Sequence, residues 1–167
     1  FVMSFLKNRS IPASSVAFRS SLSSFSFVLR QSFRFSGLES MPARIDLSVV
    51  IPAYNGAATI ERVVAELLTA FDHQAIEVVL VNDGSSDQSE QVLTELVQRY
   101  PDRVVQIQLA RNFGEHSAVL AGLTESRGDY VGIIDDDGQQ PPEQLLRLWQ
   151  HLQSTGADVV YGCYRIK

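Results

Sequence analysis

Three consecutive carboxylates, Asp135, Asp136 and Asp137, directly follow the apolar run Tyr130 to Ile134. Adjacent like charges repel and need a counter-charge. In an extended chain residues i and i+2 point the same way, so the spacing predicts Asp135 and Asp137 facing one site and Asp136 turned elsewhere. Two hard oxygen donors so placed suit Mg²⁺ or Mn²⁺, with substrate phosphates completing the shell. An isolated Asp-x-Asp also serves as a solvated acidic turn or a helix cap, so the pair alone does not decide between these uses. An EF-hand is excluded by register. Counted from Asp135, the sixth position is Gln140 and the twelfth is Leu146, where glycine and glutamate are required.

Two further polar clusters follow apolar runs. Asp83-Gly84-Ser85 comes after Ile76 to Val81. An acid there can accept hydrogen bonds from a nucleobase or ribose, and the glycine permits a tight turn. Plain turn chemistry with a helix cap at Ser86 or Asp87 is the alternative. Arg111-Asn112-Phe113-Gly114 comes after Val104 to Leu109. A guanidinium at that point can bind a diphosphate or an acceptor phosphate, or it is a surface arginine in a loop. His116 reads as a helix-start residue and Cys163 as a small packed one.

These clusters need a scaffold, and the hydrophobic pattern supplies one. Leu47 to Pro52, Ile76 to Val81, Val104 to Leu109, Tyr130 to Ile134 and a run beginning at Val159 are short and continuously apolar, as buried strands are. Between them, Ile60, Val63, Val64, Leu67, Leu68 and Phe71 recur at helical spacing. So do Leu93, Leu96, Val97 and Tyr100, and then Leu145, Leu148, Trp149 and Leu152, the last set opened by Pro141-Pro142. A third helix is expected over His116 to Ser126, stopped near Gly128. Alternating strands and helices with two-sided apolar strands predict an α/β fold with an open, mostly parallel sheet and helices on both faces. Ligands bind such sheets beyond the carboxyl ends of the strands, where Tyr54-Asn55, Asp83, Arg111 and the aspartates all lie.

Composition bounds the rest. The 167 residues carry a net charge of −5, which does not favour a nucleic-acid surface. One cysteine excludes a disulfide scaffold and points to a reducing, cytoplasmic compartment. No apolar run reaches the roughly 18–20 residues of a membrane span. Residues 1–40 stand apart: Lys7, Arg9, Arg19, Arg30 and Arg34 face the single acid Glu39 among many serines. That is the composition of a targeting segment, or of upstream sequence with Met41 as the true start. The expected domain therefore covers residues 41–167, with residues 1–40 left outside the fold.

Four stretches, taken in order, resemble family 2 glycosyltransferases of the GT-A fold. They are Val49-Val50-Ile51-Pro52-Ala53-Tyr54-Asn55, Val81-Asn82-Asp83-Gly84-Ser85-Ser86-Asp87, Arg111-Asn112-Phe113-Gly114 and Asp135 through Glu143. The last two look most like polyprenyl-phosphate sugar transferases. The resemblance implies transfer of a sugar, with inversion, from a UDP- or GDP-sugar donor to a lipid phosphate at the cytoplasmic face of a membrane. It places Pro52, Ala53, Tyr54, Asn55, Asp83, Gly84, Asp135 and Asp136 around the nucleotide sugar. It places Asp137 and Gln139 on a Mg²⁺ or Mn²⁺ ion, and Arg111 near the phosphates, with Asp135, Asp137 and Arg111 as the catalytic set. A phosphate acceptor is already ionised near neutral pH and needs no dedicated base.

Three residues depart from the pattern. Gly56 stands where the family usually has glutamate, and Asp136 and Gly138 replace the small and then apolar residues of Asp-Ala-Asp-Leu-Gln. Altered donor binding and a looser loop are the expected results, with metal binding retained. The family's acceptor-binding half and its membrane-associating helices would lie beyond Lys167, so membrane contact is expected only through that part. A non-catalytic nucleotide-sugar-binding module, or an inactive fragment, is the alternative. A dinucleotide-dependent dehydrogenase is disfavoured because Pro52-Ala53-Tyr54-Asn55-Gly56 replaces the G-x-G-x-x-G turn. A phosphate-receiver domain would account for Asp135 but not for Arg111-Asn112.

Overall fold

A computed structural model describes residues 4–7 and 44–162. The chain runs β1 (Ser4–Lys7), β2 (Leu47–Ala53), α1 (Ile60–Ala70), β3 (Ile76–Asn82), α2 (Ser89–Arg99), β4 (Val104–Gln108), α3 (Glu115–Glu125), β5 (Tyr130–Ile133), α4 (Pro142–Thr155) and β6 (Val159–Tyr161). The strands form one sheet in the order β4-β3-β2-β5-β1-β6. β2 pairs in parallel with β3 and β5, and β3 with β4. β1 is antiparallel to both of its neighbours.

Every residue of β2 and β3 is buried, which explains their unbroken apolar runs. Side chains alternate between two cores. Leu47, Val49 and Ile51 join Val78 and Leu80 beneath α1, α2 and α4. Val50, Val79 and Val81 pack on the opposite face against α3. The expected open sheet with helices on both faces is what forms.

α3 approaches the sheet closely. A Cβ on Gly122 would lie 2.3 Å from a methyl of Val50, so only glycine fits there. α3 ends at Glu125, followed by Ser126 in an extended conformation. Gly128 was expected to stop this helix, and it does something else. It passes against the backbone of β2, where a Cβ would meet the Ser48 nitrogen at 2.5 Å.

The sequence reading left residues 1–40 outside the fold, yet Ser4–Lys7 lies within the sheet, between β5 and β6. Phe5 is fully buried, with its ring over Gly132 and beside Trp149 at a centroid distance of 5.9 Å. The remainder of that segment lies outside the described residues, as does Cys163.

β2 leads to β3 and β4 on one side, and β5 returns to its other side. The gap between β2 and β5 is therefore the point where strand order reverses, the usual ligand crevice of an open α/β sheet. The last rung between them is the Ile134 amide on the Val50 carbonyl, at 3.2 Å. Pro52, two residues further along, faces the same side past the end of β5, so its missing N–H costs no rung. From there the two chains diverge.

Candidate functional site

The divergence opens a cleft of about 520 Å³, within the range that holds a small-molecule ligand. β2 and its loop contribute Pro52, Ala53 and Tyr54. Asp83 comes from the end of β3, Asn112 and Glu115 from the entry to α3, and Asp135, Asp136, Asp137, Gln139 and Gln140 from the loop after β5. Five carboxylates line the cleft, and none of its lining residues is basic. A phosphorylated ligand would meet net repulsion here unless a cation came with it.

Of the residues implicated by sequence, Pro52, Ala53, Tyr54, Asp83, Asp135, Asp136, Asp137 and Gln139 line the cleft. Asn55, Gly84 and Arg111 do not; they shape its walls. Asn55 adopts φ 56°, accepts the Ser86 amide at 2.9 Å and donates its own amide to Ser85 Oγ at 3.0 Å. This binds the β2 loop to the β3 loop. Gly84, at φ 66°, passes beneath Arg111 and Asn112, where a Cβ would lie 2.4 Å from the Arg111 carbonyl carbon. Arg111 itself is exposed, its guanidinium 4.9 Å from the centre of the Phe113 ring.

Asp83 was expected to face a nucleobase or ribose. It lines the cleft, but both of its oxygens are also engaged by the chain. They accept the Phe113 and Gly114 amides at 2.8 and 2.9 Å. A buried carboxylate at the end of β3 thus holds the loop after β4 in place. His116 is an exposed first-turn residue of α3, as expected.

The aspartates are not sorted by strand alternation. β5 ends at Ile133, so all three lie in the loop beyond it, and all three reach the cleft. Their partners differ. Gln140, 4% exposed, donates Nε2 to Asp135 Oδ2 at 2.6 Å. Asp136 Oδ2 accepts the Tyr54 amide at 3.3 Å. Asp137 Oδ1 accepts the Gln139 amide at 2.8 Å. Gly138 turns the loop at φ 72°, with the Arg62 guanidinium packed where a Cβ would stand.

Burial, followed by the charges of Glu115 and Asp137, raises the Asp135 carboxyl to about 6. Burial likewise raises Asp136, opposed by the Tyr54 amide. A raised carboxyl means the folded chain binds that proton more tightly than the unfolded chain. Its contribution to stability is complete below 3.8 and is lost as pH rises through about 6. Asp135→Asn mimics the protonated acid. In chelator-treated buffer it should raise the thermal midpoint near neutral pH and change nothing at a pH below 3.8. An equal effect at both would refute the assignment.

Among the described residues, no three His, Cys, Asp or Glu side chains converge as a preformed metal cage. The donor set still fits a hard divalent cation. Such ions are commonly held by one or two carboxylates, with phosphates and water filling the shell. Asp137 and Gln139 lie in adjoining parts of the loop, and the surrounding carboxylates carry the charge that favours a cation.

Sequence reasoning missed Asn112, Glu115 and Gln140. Asn112 was read only as part of its motif, Glu115 sits one residue before the expected helix, and Gln140 was hidden beside Gln139.

A family model described as Glycosyl transferase family 2 matches residues 48–167. An undecaprenyl-phosphate 4-deoxy-4-formamido-L-arabinose transferase from Edwardsiella ictaluri is 43% identical over 116 residues, covering 68% of this chain and 35% of the relative. The protein of the same name from Pseudomonas aeruginosa is 43% identical over 122 residues, covering 71% and 36%. The chain thus spans about a third of the length of these relatives. Among solved structures, S. aureus TarS in complex with UDP-GlcNAc superposes with a TM-score of 0.57 at 26% identity, over 68% of this chain and 33% of that one. The mannosyltransferase PcManGT from Pyrobaculum calidifontis, in complex with GDP-Man and Mn²⁺, gives a TM-score of 0.55 at 24% identity, over 66% and 34%, and shares the fold.

Proposed function

Because this chain belongs to glycosyl transferase family 2, we propose that its cleft binds a nucleotide-sugar donor for transfer of the sugar to a polyprenyl phosphate. The observation that carries this reading is the cleft itself. It lies at the strand-order reversal, is lined by carboxylates without a cation, and is built from the four motifs in register. The names of the undecaprenyl-phosphate transferases support the lipid-phosphate acceptor, and the UDP-GlcNAc complex of TarS supports a nucleotide-sugar donor. The donor we propose is a UDP- or a GDP-sugar.

In this reading Pro52, Ala53, Tyr54 and Asp83 contact the donor, and Asn55 and Gly84 hold the loops that carry them. Asp135 and Asp136 line the sugar-diphosphate side. Asp137 and Gln139 hold Mg²⁺ or Mn²⁺, which neutralises the leaving diphosphate as a Lewis acid. Asp135, fixed by Gln140, keeps its carboxylate aimed into the cleft. Arg111 stands at the rim, beside Phe113, where an anionic acceptor would arrive. Asn112 and Glu115 complete the wall, and Tyr54, 51% exposed, forms the mouth. Much of the rate would come from holding donor and acceptor in line.

The proposed domain covers residues 41–167, with the addition of the strand Ser4–Lys7. No helix among the described residues is long and apolar enough to cross a membrane. We place the reaction at a membrane surface because the proposed acceptor is a lipid.

Transfer is the direct test. The chain is incubated with UDP- or GDP-sugars, Mn²⁺ and vesicles containing undecaprenyl phosphate, and lipid-linked sugar is measured. Asp137→Ala should reduce the product by roughly 100-fold, as the loss of one transition-state electrostatic group does. Donor binding without any product would favour a second reading, a nucleotide-sugar-binding module.

A further inference from the structure

Gly56 and Asp136, two of the positions that depart from the family pattern, meet in space. A Cβ on Gly56 would lie 2.2 Å from Asp136 Oδ2 and 3.0 Å from its carboxyl carbon. Gly56 is buried, and its φ lies outside the left-handed region. Its backbone would therefore accept alanine, and the obstacle is the Asp136 carboxylate. The same Oδ2 accepts the Tyr54 amide at 3.3 Å. Other bonds from this loop run the opposite way, toward the β3 loop: Asn55 to Ser85 and Ser86, and Ala57 to Asp87. The Asp136 bond ties Tyr54 to the β5 loop, across the floor of the cleft.

We propose that Asp136 is a positioning residue, a latch that sets the distance between the Tyr54 wall and the Asp137 wall, and that Gly56 is the space it requires. The two residues then act as one unit on ligand affinity. This rests on the reading that the cleft takes a nucleotide together with a divalent cation.

The test is a double-mutant cycle on the full chain. UDP and GDP are titrated calorimetrically with Mn²⁺ present into wild type, Gly56→Ala, Asp136→Ala and the double variant. Thermal unfolding is followed in parallel to confirm folding. Each single variant should weaken binding by roughly three- to tenfold, the worth of one hydrogen bond. The double should match Asp136→Ala alone, because an alanine at 56 has nothing left to displace. Asp136→Asn keeps an acceptor for Tyr54 and should weaken binding less than Asp136→Ala does.

Two outcomes overturn the latch while leaving the nucleotide reading intact. One is single effects that multiply in the double variant. The other is Asp136→Asn binding as weakly as Asp136→Ala, which would mean that the charge itself contacts donor or cation. A wild-type chain that binds neither nucleotide overturns the nucleotide reading, and the latch with it. If Gly56→Ala does not fold, the contrast between Asp136→Asn and Asp136→Ala decides the matter.

Discussion

Glu77→Ala should destabilise the chain by about 2–4 kcal/mol, because a buried carboxylate loses several charge-assisted hydrogen bonds while its partner Arg127 stays half exposed to water. Glu77 is fully buried in β3. Its Oε1 accepts the Ser48 hydroxyl and the Arg127 amide, each at 2.7 Å, and its Oε2 accepts Arg127 Nε at 2.7 Å. Ser48 Oγ in turn accepts the Gly128 amide at 2.8 Å. Alanine would leave the Ser48 hydroxyl and the Arg127 guanidinium without their Glu77 acceptor, and the Arg127 amide with only Ser48 Oγ at 3.2 Å. The network joins β2, β3 and the turn into β5 at the end of the sheet opposite the cleft. It sets where β5 begins, and hence where the loop of aspartates emerges. Urea unfolding measures the loss. Glu77→Gln keeps the shape but not the charge and should cost less, about 1–3 kcal/mol. Equal stability of Glu77→Ala and wild type would show that the network contributes nothing.

Asp83→Ala should cost about 2–4 kcal/mol and also abolish ligand binding. Two charge-assisted hydrogen bonds are lost from a side chain that is 2% exposed. The affected loop carries Asn112 and leads to Glu115, so the wall of the cleft moves with it. Asp83→Asn should be nearly as damaging. Its single carbonyl oxygen can serve one amide, and its NH₂ would then face the other. Hydrogen exchange at Phe113 and Gly114 reads this directly. Protection should fall in both variants while β2 and β3 stay protected. Unchanged protection would separate Asp83 from the loop and leave it a ligand contact alone.

The main scaffold was legible because its strands are buried on both faces and its helices on one. Continuous apolar runs such as Val78 to Val81 and the spacing from Ile60 to Phe71 admit few other readings. β1 was not legible. Ser4–Lys7 is short, lies in a basic, serine-rich stretch, and is specified by partners more than 120 residues away, Tyr130–Ile133 and Val159–Tyr161. Site membership was legible where a motif ends a strand, as at Tyr54, Asp83 and Asp137. The internal geometry was not. Strand alternation, applied to Asp135–Asp137 beyond the end of β5, turned Asp136 away, whereas the family resemblance set it at the cleft, which it lines. Arg111 was placed near the phosphates by the family resemblance; it is not among the residues that line the cleft, and its guanidinium lies over the Phe113 ring. Gln140 shows the same limit. No local pattern reveals that a glutamine five residues past Asp135 folds back onto it.

A cleft lined by five carboxylates and no basic residue should bind a nucleotide only together with a divalent cation. Calorimetric titration of the chain with UDP and with GDP, with Mn²⁺ and then with chelator, tests it most directly. At least one nucleotide should bind with Mn²⁺, and that binding should be lost both in chelator and in Asp137→Ala. Binding that survives chelation, or no binding of either nucleotide with Mn²⁺ present, would contradict it.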